Sequence, residues 1–238
     1  MFYKIQHSLN NKIVGNYCQI EEAILPPNWD SDPNFIDNIS LKKIDFEPKM
    51  PIGILHKKAK LTALLSAVPA GFSQKLLVSK ELKNILNEFD EDVFQFFSCK
   101  IEANNLSYEY WLSVPLSTSF ELVDFKQSEV TTRKRNPEGG FYFERVNIST
   151  LAEFNDYLAS QSDLERWKTI INRVNISESA SKDIFVLTHV EGGLGYYVSE
   201  RVKQALLVNG ITGIEFKPIN FTSNEWLHEH RSAIYGKA

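Results

Sequence analysis

An α+β fold, with mixed β-sheets, two similar strand–helix–strand units and a helical pair between them, is what the order of apolar runs predicts. Three observations carry this expectation. Leu76-Leu77-Val78-Ser79 reads as a strand ending in a helix cap, followed by an amphipathic run to Leu86 and the apolar run Val93–Phe97. The same order recurs at Tyr196-Tyr197-Val198-Ser199, Glu200–Leu207 and Ile211–Phe216. Between the two lie a pair of Ser/Thr-x-x-Glu capping signatures.

Residues 1–55 read as short strands and loops, with Phe2–Ile5 and Tyr17–Ile20 as candidate strands. Pro26–Asn34 is a loop, because proline removes donors and Asp and Asn favour turns. Leu61, Leu64 and Leu65 fall at helical spacing, which predicts a helix over Ala59–Ala67 that Pro69-Ala70-Gly71 ends. In the first strand–helix–strand unit the Ser79 hydroxyl can accept from a first-turn N–H, and Leu82, Ile85 and Leu86 share one helix face. An acidic turn, Asp90-Glu91-Asp92, leads into the Phe-rich strand.

Tyr108–Val114 alternates aromatics as a strand does, and leads through Pro115 to Phe120–Phe125. Arg133–Gly140 is a basic, turn-rich loop and the best boundary candidate in an otherwise single globular chain, giving possible lobes 1–132 and 141–238. Thr150 with Glu153 predicts one helix, with Leu151, Phe154, Tyr157 and Leu158 as its apolar stripe. Ser162 with Glu165 predicts a second, striped by Leu164, Trp167, Ile170, Ile171 and Val174. Phe185–His189 is a strand before the Gly-rich turn. In the second unit Val202, Ala205 and Leu206 share a helix face and Asn209-Gly210 supplies the C-cap. The units align without a gap: Val78 with Val198, Ser79 with Ser199, Lys83 with Lys203, Leu86 with Leu206 and Phe96 with Phe216.

Composition narrows the function classes. The chain has 238 residues and a net charge of −4, which argues against non-specific nucleic-acid binding. No apolar run approaches the ~20 residues of a membrane span, and the N-terminus lacks a signal-peptide core, so a cytoplasmic protein is expected. The Asn-x-Ser/Thr triplets then carry no meaning. Cys18 and Cys99 form no CxxC pair, and neither a disulfide nor a zinc site is expected.

Several clusters suggest chemistry and fall short of it. Glu191-Gly192-Gly193-Leu194-Gly195 could cradle phosphate only if it opened into a helix; a strand follows, so a hairpin is expected. His228-Glu229-His230 offers two imidazoles without a third ligand of known position, and no metal is expected. Arg133-Lys134-Arg135 reads as a solvated loop, and Asp90-Glu91-Asp92 lacks calcium-loop spacing. No catalytic residue is assigned, because nucleophile-elbow, phosphate-loop and zinc-deaminase patterns are all absent from the sequence.

The repeated blocks carry a family resemblance. Leu77–Leu86, Phe94–Phe97, Tyr110-Trp111-Leu112 and Val123–Ser128, with Tyr197–Leu206 and Gly210–Phe216, resemble the consecutive blocks of bacterial polymorphic-toxin immunity proteins. The likeness is to the immunity protein 11 and immunity protein 43 groups, over roughly residues 50–220; the first ~50 residues match neither. It implies a non-enzymatic protein that binds a cognate toxin encoded nearby and occludes it, without a cofactor or catalytic residues. The acidic excess, with Asp90-Glu91-Asp92 as one locus, would steer a basic toxin. An enzyme acting on a toxin's product, or a small-ligand-binding module, remains open on the residues alone.

Overall fold

Two serines start the two central helices in the same way. Ser79 and Ser199 sit at φ/ψ of −68°/164° and −69°/165°, and their hydroxyls accept from the N–H of Leu82 and Val202. The computed structural model describes residues 1–39 and 41–237.

The elements in order are β1 (Phe2–His7), α1 (Asn11–Val14), β2 (Ile20–Ile24), β3 (Ile52–Leu55), β4 (Leu64–Leu65), β5 (Leu77–Val78) and α2 (Lys80–Phe89). Then come β6 (Phe94–Ala103), β7 (Leu106–Pro115), β8 (Glu129–Arg135), β9 (Phe141–Val146), α3 (Leu151–Ser160) and α4 (Asp163–Arg166). The chain continues with β10 (Thr169–Arg173), β11 (Ile184–Val190), β12 (Gly193–Ser199), α5 (Glu200–Val208) and β13 (Ile214–Pro218). It closes with α6 (Ser223–Glu225), a π-helical turn at Trp226–His230 and α7 (Arg231–Tyr235). The fold is α+β, with two mixed sheets ordered β13-β1-β12-β11-β10-β8-β9 and β2-β3-β6-β7-β5-β4.

The two strand–helix–strand units share more than their caps. In each, the two strands are parallel and separated by a third strand antiparallel to both: β7 between β5 and β6, and β1 between β12 and β13. Registers agree residue by residue. Val78 faces Trp111 as Val198 faces Tyr3, and Phe96 faces Ser113 as Phe216 faces Ile5. Leu64 faces Val78 as Ile184 faces Val198, so the flanking strands β4 and β11 correspond too. Ser79 N–H donates to Ala63 O, and Ser199 N–H to Asp183 O, each at 2.8 Å. Lys83 lies over the Trp111 ring at 5.0 Å, and Lys203 over the corresponding Tyr3 ring at 3.9 Å. The helices face one shared core, in which Leu82, Leu86, Val202 and Leu206 meet Trp111, Tyr3, Val78 and Val198.

Four local expectations are corrected. Residues 59–67 are not helical: Leu64 and Leu65 form β4, and Gln19 holds the segment extended by bonding Lys60 O, Thr62 Oγ1 and Ser66 N–H. The second helix of the expected pair is one turn, α4. The β-branched run Thr169-Ile170-Ile171 then becomes β10, pairing with β8 and β11. Arg133, Lys134 and Arg135 are the end of β8 rather than a loop, which leaves residues 136–140 as a hairpin turn. The strand expected at Tyr17–Ile20 begins only at Ile20.

Candidate partner-binding surface

Among the described residues, the β8–β9 hairpin carries three consecutive exposed aromatics. Two β-rich runs, Val130-Thr131-Thr132 and Phe141-Tyr142-Phe143, flank Asn136-Pro137-Glu138-Gly139-Gly140. Gly139 and Gly140 adopt φ of 108° and 80°, a region that side chains disfavour, and so close the turn. Asn136 supports it by donating its N–H to Gly140 O and accepting at its side chain from Glu138 N–H.

At its base the hairpin is anchored. Val130 is buried opposite Ile171, and Thr131 and Thr132 are buried beside Ile170 and Thr169. Pairing of β8 with β10 ends at Thr132, and one further bond runs from Arg133 N–H to Lys168 O at 2.9 Å. Beyond that point the two strands continue as a two-stranded finger. Phe141, Tyr142 and Phe143 are 63%, 49% and 58% exposed. Opposed residues share a face, so Arg135 with Phe141 and Arg133 with Phe143 make one side, and Lys134 with Tyr142 the other. The Arg133 guanidinium lies over the Phe141 ring at 4.8 Å.

Leu164 and Trp167, both exposed, lie in and just after α4, next to the Lys168 carbonyl that Arg133 bonds. Trp167 stacks on His189, 6.0 Å between ring centres at 23°. His189 sits at a bulge in β11 with φ of 52°, and its Nδ1 is 3.1 Å from Thr169 O.

Two open grooves lie outside the finger, the first of them reaching Trp167. One, about 640 Å³, is lined by Ile39, Leu41, Val114, Trp167 and Leu194. The other, about 500 Å³, is lined by Lys4, His7, Gln74, Glu191 and Ser223. Burial pulls the Lys4 amine down to about 8, with the neighbouring Lys217 charge adding to the effect. Its Nζ donates to Glu191 O, and Lys217 to Phe221 O. The Glu191 carboxylate accepts from the Ser223 N–H and hydroxyl. This polar cluster holds the turn before the C-terminal helices against the sheet.

The sequence-flagged clusters scatter. Glu191-Gly192 is the turn of the β11–β12 hairpin. His228 and His230 lie in the π-helical turn, where His230 packs on Phe221 at 4.2 Å. Among the described residues no group of three His, Cys, Asp or Glu side chains is arranged to hold a metal. Cys18 and Cys99 are free thiols. Asp90 is the C-cap of α2, and its carboxylate accepts from Asp92 N–H. Arg133-Lys134-Arg135 is the cluster that the fold brings to exposed aromatics. In sequence it resembles a solvated loop, and the signal for a strand is the run Phe141-Tyr142-Phe143 that follows Gly140.

No helix among the described residues is long and apolar enough to cross a membrane. A family model described as "Immunity protein family (Imm11)" matches residues 1–164. The match names one of the two groups that the sequence resembles. It takes in the first 50 residues that the resemblance left out, and stops before the second strand–helix–strand unit. No curated protein matches the chain.

Proposed function

The chain belongs to the Imm11 immunity protein family, and from that premise we propose that it binds a cognate toxin inside the producing cell and neutralises it by occlusion, without chemistry of its own. Occlusion requires a surface that loses more by staying wet than by being covered. The observation supporting this reading is the β8–β9 finger, which lies within the family-matched residues and presents three consecutive aromatics to solvent. Aromatic and Arg side chains dominate binding energy at protein interfaces, because they bury large areas at small entropic cost. Scattered exposed apolar residues are ordinary, whereas a contiguous set on one projecting element marks an interaction site.

Co-expression tests the reading. The gene product encoded beside this chain should arrest growth alone, and this protein should restore growth and co-purify with it one to one. A toxic neighbour that this protein neither rescues nor binds would sink the proposal.

A further inference from the structure

We propose that β9 takes its partner by strand addition, and that the occupant is an acidic β-strand of the toxin. This rests on reading the chain as a toxin binder, and names the partner's chemistry. Four sheet edges exist among the described strands, and they are treated differently. β4 is two residues long, and β2 carries the exposed carboxylates Glu21 and Glu22. β13 is capped by the C-terminal helix, where Phe216 N–H donates to the Tyr235 hydroxyl. β9 is less protected: it is six residues long, residues 141–145 are exposed, its charges Glu144 and Arg145 are confined to the end near the sheet, and its outer half is Phe-Tyr-Phe. An open, aromatic edge is a template for another strand, because its outward N–H and C=O groups have no partner in the sheet.

Charge selects the occupant. Residues 133–145 carry Arg133, Lys134, Arg135 and Arg145 against Glu138 and Glu144, a positive surface on a chain of net −4. A second copy of the chain would set positive finger against positive finger. A strand bearing Asp or Glu would lay carboxylates beside Arg145 and within reach of Arg133 and Arg135, while its apolar residues cover Phe141 and Phe143. The acidic chain thus meets its partner through its basic face, the reverse of the steering expected from net charge.

The test uses the full chain and an inactivated form of the neighbouring gene product. The wild-type complex should slow amide exchange across Phe141–Val146. Phe141→Ser/Phe143→Ser should weaken binding by about 30-fold or more, the scale of interface hot spots. Arg133→Glu/Arg135→Glu should slow association and remove its salt dependence. All four side chains are exposed, so melting temperatures should stay at the wild-type value. A wild-type complex whose β9 amides exchange as in the free protein, with both variants binding within about twofold, overturns the finger proposal and leaves the toxin reading intact. No wild-type complex at all overturns the toxin reading, and the finger with it. A dimer of the free protein that Phe141→Ser/Phe143→Ser dissolves would make the occupant a second copy, against the proposal.

Discussion

Glu215 and Arg231 are 1% and 3% exposed, and their side chains meet in a bidentate pair at 2.6 Å and 2.6 Å. Ser8 Oγ and Leu9 N–H also donate to Glu215, and Arg231 donates to Gly236 O, so every charge is satisfied. The alternation Ile214-Glu215-Phe216-Lys217 reads in sequence as a strand with a polar outer face. Nothing in it signals that the C-terminal helices cover that face. Because the pair is buried, removing one partner strands the other: Arg231→Met should cost about 3–5 kcal/mol in chemical denaturation, and Glu215→Met/Arg231→Met should recover most of it. Equal losses in both variants would show that the pair contributes packing rather than charge compensation. His7 is a half-buried polar residue in the wall of the second groove. Its Nε2 is buried without a partner among the described residues, and burial around the ring pulls its pKa from 6.5 down to about 4. The folded state therefore binds fewer protons than the unfolded one between those values, and stability falls as pH drops from 6.5 towards 4, by roughly 1 kcal/mol per unit or less. Glu225, held down to about 2 by the Thr222 N–H and the Arg173 guanidinium, adds to the acid loss only below its ordinary carboxylate range, so pH 6.5–4.5 reports on the histidine. His7→Gln should flatten the slope in that window; an unchanged slope assigns the proton uptake elsewhere.

At the scale of elements, signals confined to a few neighbouring residues were legible. Ser79, Thr150, Ser162 and Ser199 all cap the helices that their side chains announce. Replacing Ser79 or Ser199 by Ala should each cost about 1 kcal/mol, read from denaturant midpoints. Ser199 also donates to Asp183 Oδ1, a bond that Ser79 lacks at the corresponding Ala63, so Ser199→Ala should cost the more of the two. Equal losses would mean that the extra bond adds nothing. What local pattern misread was decided by distant partners. Leu164, Trp167, Ile170, Ile171 and Val174 fit a helical stripe, yet β8 and β11 offer Ile171 two strands to pair with, and β-branched residues favour that outcome. The finger escaped for a related reason: Arg133-Lys134-Arg135 looks like a solvated loop until Phe141-Tyr142-Phe143 is set opposite it.

Across the whole molecule, the gapless match of the two units extends to four strands and a helix each. The third strand has a different origin in the two. In the first unit β7 follows β6 directly as a hairpin; in the second, the same place is filled by β1 from the N-terminus. A comparison along the sequence loses that strand, since its counterpart comes after the helix rather than before it. The family resemblance over residues 50–220 leaves out β1, which lies between β12 and β13 in the second unit, whereas the family match begins at residue 1. The shared core under α2 and α5 spans both sheets, and the finger projects from a base packed in a second cluster with Val130 and Ile171. Toxin neutralisation makes a quantitative demand on that body: the complex must outlast competition with the toxin's own target at low concentration, which corresponds to a nanomolar or lower dissociation constant, near −12 kcal/mol. Calorimetric titration of the purified protein into the inactivated neighbouring toxin domain is the most direct measurement. One-to-one binding at nanomolar affinity or tighter is the expected result; a dissociation constant in the high micromolar range, or no heat of binding, would contradict neutralisation by occlusion.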